Sequence, residues 1–237
     1  MKLYIVATPI GNLADITLRA VNTLSNVDVI LAEDTRVTRT LLEHLNIRKQ
    51  LLAYHQHSSP REIEKIISML RSGKNLALVS DAGTPGVNDP GNYLVQEILK
   101  SLPDVQVVPI PGVNAAVAAL SVSSFPSDHF IFLGFPPHKK GRQTFFREIG
   151  ETEGTVVFYE SKHRILKCLK ELREITQIGN RPMLVARELT KQFETFYRGT
   201  AYDIEMALQK NQNNLLGEFV VVIGPKPRKK HTESDEE

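Results

Sequence analysis

Short apolar runs punctuate the first half of the chain, and the period of the hydrophobic positions changes between them. Leu3–Ala7, Val27–Ala32, Gln50–Tyr54, Leu76–Val79 and Val105–Ile110 are brief apolar stretches, several of them rich in β-branched residues. Their length and near-continuous apolarity suit strands buried on both faces. Ile63, Ile66, Ile67 and Leu70 instead fall at i, i+3, i+4 and i+7, one face of an amphipathic helix. Ser59 is placed to cap that helix, Pro60 suits its first position, Glu62 completes a capping box and Gly73 ends it. Strands alternating with helices predict βαβ units and a largely parallel sheet.

The pattern breaks at Ser121–Asp128, "SVSSFPSD", which reads as a linker. A second series follows, with strands at Phe130–Phe135, Val156–Tyr159, Met183–Ala186 and Glu218–Ile223 and a helix at Arg164–Ile175. In that helix Ile165, Leu169, Leu172 and Ile175 form the buried stripe, with Cys168 packed on the same face. The halves are not copies of one another. The expected organisation is α/β, with two α/β domains at 1–121 and 122–225, a cleft between them, and a disordered charged tail at 226–237.

Composition adds exclusions. The lone Cys168 leaves no disulfide framework and no cysteine pair for zinc, and points to a reducing, cytoplasmic setting. The seven histidines show no metal-ligand spacing, so no metal is expected. No apolar run reaches membrane-spanning length, so no membrane partner is expected, and Met1–Ala7 reads as a first strand rather than a signal peptide. A net charge of +2 gives no whole-molecule field for nucleic acid, so any such contact must come from local patches.

Three turn-rich segments end apolar strands: Thr8–Asn12, Ser80–Gly91 ("SDAGTPGVNDPG") and Pro109–Asn114. In an open parallel sheet they gather at the carboxyl edge, where ligands bind. Neither G-x-G-x-x-G nor G-x-x-x-x-G-K-[ST] occurs. The central loop carries Asp81 and Asp89 but no cation, which is unfavourable for a polyanion. A ligand with a positive centre and ribose hydroxyls suits it better. Gly83, Gly86 and Gly112 allow close backbone approach, and S-adenosylmethionine fits the description.

"TPIGNLADITLRA" (Thr8–Ala20), "AEDTR" (Ala32–Arg36), the Ser80–Gly91 loop, "PIPGVNAAVAAL" (Pro109–Leu120), "FLGFPP" (Phe132–Pro137), "YESKHR" (Tyr159–Arg164) and "ARELTKQFE" (Ala186–Glu194) occur in this order. Together they resemble the tetrapyrrole-methylase superfamily, and within it the ribosomal RNA small subunit methyltransferase I branch. The resemblance implies a class III methyltransferase fold of two α/β domains, S-adenosylmethionine bound in their cleft, and a homodimer. It implies methylation of the ribose 2′-hydroxyl of a decoding-centre cytidine in 16S rRNA of the small ribosomal subunit. Carried over by motif, the cofactor contacts are Pro9, Ile10, Asp81, Gly83, Thr84, Gly112, Asn114 and Ala115, with Tyr159, Ala186 and Arg187 from the second half.

Methyl transfer from a sulfonium needs alignment and, for a ribose hydroxyl, a proton acceptor. Glu33 and Asp34 in "AEDTR" and Glu188 and Lys191 in "ARELTK" are candidates; ion pairs with Arg36, Arg39 or Arg187 are the structural alternative. The catalytic set expected is Asp34, Arg36, Glu188 and Lys191, with Arg36 and Arg187 holding phosphates. Arg39, Lys139, Lys140, Arg142, Lys162 and Arg164 are the expected RNA contacts, several in a basic loop at Pro136–Gln143. Two other functions share the fold: methylation of a tetrapyrrole-like small molecule, and a non-catalytic module that binds the cofactor and ribosomes.

Overall fold

The computed structural model describes residues 1–227, so the tail from residue 228 onward lies outside the described residues. The chain divides into two compact units, Met1–Ala115 and a second beginning at Ala116. The first holds five parallel strands, β1 (Lys2–Val6), β2 (Val29–Ala32), β3 (Gln50–Ala53), β4 (Leu76–Val79) and β5 (Gln106–Ile110), in the order β3-β2-β4-β1-β5. The helices between them are α1 (Leu18–Asn26), α2 (Thr35–His44), α3 (Pro60–Arg71) and α4 (Asn92–Ser101).

Strand alternation decides which helix covers which face. Leu3, Val29, Leu31, Leu76 and Leu78 pack with Ile63, Ile66 and Leu70 of α3 and Leu94 and Ile98 of α4. Val6, Ile30, Ala32, Ala77 and Val79 pack with Ala20 and Leu24 of α1 and Leu42 of α2. Each fully buried Leu or Ile contributes about 1.5–3 kcal/mol. The expected capping box is present: Ser59 Oγ accepts from Glu62 N, and Glu62 Oε2 accepts from Ser59 N at 2.6 Å.

Right-handed crossovers moving in opposite directions along the sheet put their helices on opposite faces. The connection leaving β1 runs toward β2, whereas that leaving β4 runs toward β5. The crossovers leaving the paired strands β1 and β4 therefore diverge, and the loops that begin them meet at the carboxyl ends of the two strands. This is the switch point of a doubly wound sheet, the place where ligands bind in such folds.

In the second unit β6 (Phe130–Phe132), β7 (Thr155–Ser161), β8 (Met183–Arg187), β9 (Thr195–Gly199) and β10 (Glu218–Ile223) form a sheet in the order β6-β7-β10-β8-β9. Helices α5 (Ala115–Ser121), α6 (Arg142–Glu151), α7 (Ile165–Glu174) and α8 (Ala201–Gln209) complete the described α-helices. Only β6 and β7 are parallel; the other pairs are antiparallel. The 188–194 loop is too short for a parallel crossover, so β9, a strand the sequence pattern had not predicted, returns against β8. The strand expected over Phe130–Phe135 ends at Phe132, and Gly134 follows at φ 65°. Lys226, read with the tail, is tied in: its backbone N donates to Glu153 O and its Nζ to a Glu153 carboxylate oxygen at 2.7 Å.

Candidate functional site

The three strand-end loops of the first unit are pinned together. Thr8 N donates to Gly83 O at 2.9 Å, and Gly83 N donates back to Thr8 O at 3.0 Å. Thr8 Oγ1 donates to Ser80 O at 3.1 Å. Thr84 Oγ1 donates to Val113 O at 3.1 Å, joining the central loop to the one after β5. A Cβ on Gly112 would stand 2.9 Å from the Ala7 Cβ, so only glycine lets the third loop lie against the first. Pro9, Ile10, Gly83, Thr84, Gly112, Asn114 and Ala115 are thereby gathered at one edge, as expected from the motifs. Thr8 and Ser80, which hold the edge together, were not among the expected site residues.

The acidic groups at this edge are tied to "AEDTR". Asp34 N donates to Asp81 Oδ1 at 3.0 Å, fixing the end of β2 to the central loop. The Asp34 carboxylate caps α2 by accepting from Arg36 N at 2.8 Å, and it takes the Arg36 guanidinium at 2.6 Å. The Arg36 hydrogen bonds hold its pKa down at about 2, so at neutral pH it is a poor proton acceptor. Burial raises the pKa of neighbouring Glu33, with the Asp81 charge adding. Burial also pushes Asp89 up to about 6, helped by the charges of Glu33 and Asp81. Glu33, Asp81 and Asp89 thus share one field, beside glycine-lined backbone. Such a surface fits a ligand with sulfonium, ammonium and ribose hydroxyls and repels a polyphosphate. Arg36 and Arg39 are exposed on α2.

In the second unit several expected site residues have other partners. Arg187 is 7% exposed. Its Nε, Nη1 and Nη2 donate to the carbonyls of Leu216 (2.6 Å), Phe193 (3.2 Å) and Asn213 (2.7 Å). It ties the β8–β9 loop, at Phe193, to the segment before β10, at Asn213 and Leu216, rather than presenting a cation for phosphate. Glu188 accepts from Lys191 Nζ at 3.1 Å and Glu218 N at 2.9 Å. Burial would raise its pKa, but these hydrogen bonds and the Lys191 charge outweigh that and lower it. Glu188 and Thr190 both adopt left-handed backbone, φ 51° and 65°, which stores strain in this loop. Ala186 is buried within β8. The Tyr159 ring packs edge-on to Phe132 and Phe135, with centroids 4.9 and 5.4 Å away.

The basic loop divides into outward and inward cations. Lys139, Lys140 and Lys162 are exposed. Arg142, expected among the outward ones, is buried at the start of α6. It donates to both Glu171 carboxylate oxygens and to Pro137 O at 3.2 Å. Arg164 likewise turns inward to Glu160 at 2.9 Å and to Pro136 O at 3.0 Å. A depression of about 450 Å³ beside the loop is lined by His138, Lys139, Lys140, Arg142, Lys167 and Glu171. Sequence reading missed Glu160. The signal was its register: it continues the inward set Val156 and Phe158 along β7.

Comparison with known proteins places these motifs. The family model for tetrapyrrole (corrin/porphyrin) methylases matches residues 2–205. The ribosomal RNA small subunit methyltransferase I of Escherichia coli O157:H7 is 44% identical over 224 residues, covering 94% of this chain and 77% of that one. The protein of the same name from Thermotoga maritima is 43% identical, covering 95% and 99%. Among solved structures, a cobalt precorrin-4 methyltransferase superposes with a TM-score of 0.65 at 20% identity over 94% of each chain. A uroporphyrin-III C-methyltransferase from Thermus thermophilus, solved with S-adenosyl homocysteine, gives 0.64 at 19% identity over 94% of this chain and 97% of that one. At such identities the structures establish the fold alone. The chain belongs to the tetrapyrrole methylase family, in its ribosomal RNA small subunit methyltransferase I branch.

Proposed function

We propose that this protein transfers a methyl group from S-adenosylmethionine to the ribose 2′-hydroxyl of a decoding-centre cytidine in 16S rRNA. The observation that carries the cofactor part is the pinned loop edge, where Gly83 and Gly112 bring backbone close and Asp81, Glu33 and Asp89 supply negative charge. The relatives in the same branch are named for small-subunit rRNA methylation, which supports the RNA part. The homodimer and cytoplasmic setting implied by the family resemblance belong to the same reading.

When bound, the cofactor supplies a methyl on a sulfonium, a leaving group already activated. The chain's task is to orient and to manage one proton. Asp81 and the Gly83–Thr84 backbone hold the cofactor, with Pro9, Ile10, Asn114 and Ala115 closing the edge around it. Tyr159 and Ala186 are proposed contacts from the second unit. Among the carboxylates of "AEDTR", Glu33 is the better proton acceptor, because Asp34 is neutralised by Arg36. Arg36, Arg39, Lys139, Lys140 and Lys162 are the exposed cations available to backbone phosphates. Lys191 and Glu188 keep the strained β8–β9 loop in shape.

The test combines the purified protein, labelled S-adenosylmethionine, and small subunits from cells lacking this enzyme. Label in the ribose of one 16S cytidine is the expected result. Label on a base, label only in a supplied tetrapyrrole, or none at all would overturn the reading.

A further inference from the structure

The side chain of Glu160 is wholly buried at the end of β7. Enclosing a carboxylate costs several kcal/mol, which partners must offset. Oε1 accepts from Ser161 N at 2.7 Å and pairs with Arg164 Nε at 2.9 Å. Oε2 lies 3.5 Å from Arg142 Nη2, within ion-pair range, but makes no hydrogen bond among the described residues. Arg142 already has Glu171 at 2.6 Å, so its charge does not require Glu160. A second acid beside Arg142, wholly buried and with one oxygen unsatisfied among the described residues, is a poor device for stability. Its geometry suits orientation.

Both arginines reach from Glu160 to one short piece of main chain. Arg164 Nη1 donates to Pro136 O at 3.0 Å, and Arg142 Nη1 donates to Pro137 O at 3.2 Å. Prolines have no N–H, so those carbonyls are the hydrogen-bonding groups their backbone offers. After them come exposed His138, Lys139 and Lys140, then Gly141 at φ 86°, which opens α6. We propose that Glu160 is a positioning residue for RNA. Through Arg142 and Arg164 it fixes Pro136 and Pro137, and so aims Lys139 and Lys140 at backbone phosphates. Glu160 itself does not touch RNA. This inference rests on the rRNA reading above.

The test is a double-mutant cycle on binding of small subunits lacking the modification, followed as a function of salt. Glu160→Gln keeps the volume and removes the charge. It is expected to weaken subunit binding about tenfold and to reduce the salt slope by about 1–2, as two lost phosphate contacts would. The Lys139→Ala/Lys140→Ala pair should show a similar loss, and the triple variant should be no weaker than the pair. Cofactor affinity by calorimetry and kcat at saturating subunit should match wild type in Glu160→Gln, with the effect confined to KM. Wild-type subunit binding in Glu160→Gln, or losses that add in the triple variant, would overturn the positioning role. An inert lysine pair would overturn it too, while ribose labelling by the wild type scores the rRNA reading separately. Should Glu160→Gln fail to fold, Arg164→Lys takes its place. It keeps a charge beside Glu160 but cannot also reach Pro136 O, and it must show the same non-additive loss; wild-type binding there overturns the proposal.

Discussion

The backbones of Thr8 and Gly83, 75 residues apart in sequence, pair reciprocally at 2.9 and 3.0 Å. This two-bond bridge joins the loops after β1 and β4 at the point where their crossovers diverge. Gly83 makes it at φ 85°, a region costly for residues with a Cβ. A Cβ there would lie 3.5 Å from Ile10 Cγ2, an ordinary contact, so sterics with neighbours are not the obstacle. Gly83→Ala should therefore cost about 1–2 kcal/mol of stability from backbone strain alone. Because the strain distorts the cofactor edge, S-adenosylmethionine affinity should fall about tenfold or more. Urea unfolding and calorimetry measure the two effects, and unchanged affinity would detach this bridge from cofactor binding.

Asp81 accepts the Asp34 N–H, and in the proposed function it also supplies charge to the cofactor. Asp81→Asn keeps an acceptor while removing the charge; Asp81→Ala removes both. Asparagine should weaken S-adenosylmethionine binding by about 1.5–3 kcal/mol, the scale of a lost charge-assisted hydrogen bond, with little change in Tm. Alanine should weaken binding equally and also lower Tm, because the end of β2 loses its tie to the loop. Equal affinity of wild type and Asp81→Asn would return the carboxylate to a purely structural role.

Neighbouring Glu33 and Asp34 should separate in single-turnover methyl transfer. Asp34→Asn leaves a good helix cap and removes a base already silenced by Arg36. Its rate should stay within about threefold of wild type. Glu33→Gln removes the carboxylate whose pKa burial has raised, and the rate should drop about a hundredfold, a usual size for general-base loss. The reverse order would move the base to Asp34 and require its ion pair to open in the complex.

The sequence made the scaffold legible where the cause is local. Leu76–Val79 is a continuous apolar run, Glu218–Ile223 is one after its first residue, and both appear as strands with those bounds; the capping box is local side-chain chemistry between Ser59 and Glu62. Each residue of β9 from Thr195 to Tyr197 is half-buried, so no clean period marks it. The site was legible as loops but not as partners. Arg142, Arg164 and Arg187 look like outward cations because acceptors that turn them inward come from segments remote in the chain: the Glu171 carboxylate for Arg142, 29 residues away, Pro136 O for Arg164, 28 away, and Leu216 O for Arg187, 29 away. Basic residue type sets the charge, but tertiary packing decides which way it faces.

Asp89 gives the ligand edge a pH signature. Burial first, then the charges of Glu33 and Asp81, raise its folded-state pKa to about 6 from 3.8, against a smaller lowering by the Ser80 hydroxyl. A raised carboxylate pKa means that the folded state holds the proton more tightly than the unfolded chain does. The folded protein is therefore favoured most below the unfolded value; that advantage is lost as pH rises from about 4 to about 6, and the loss is constant above. Asp89→Asn removes it, and should be more stable than wild type by about 1–2 kcal/mol at pH 8, allowing for solvent screening, with the two converging near pH 4. Urea unfolding at both pH values measures this. A cationic ligand beside these carboxylates favours their ionised forms, so binding of S-adenosylmethionine at pH 6 should release protons. Calorimetry in buffers of different ionisation enthalpy should show that release in wild type and a smaller one in Asp89→Asn. Proton uptake, or equal release from both proteins, would place the positive centre of the ligand away from Asp89.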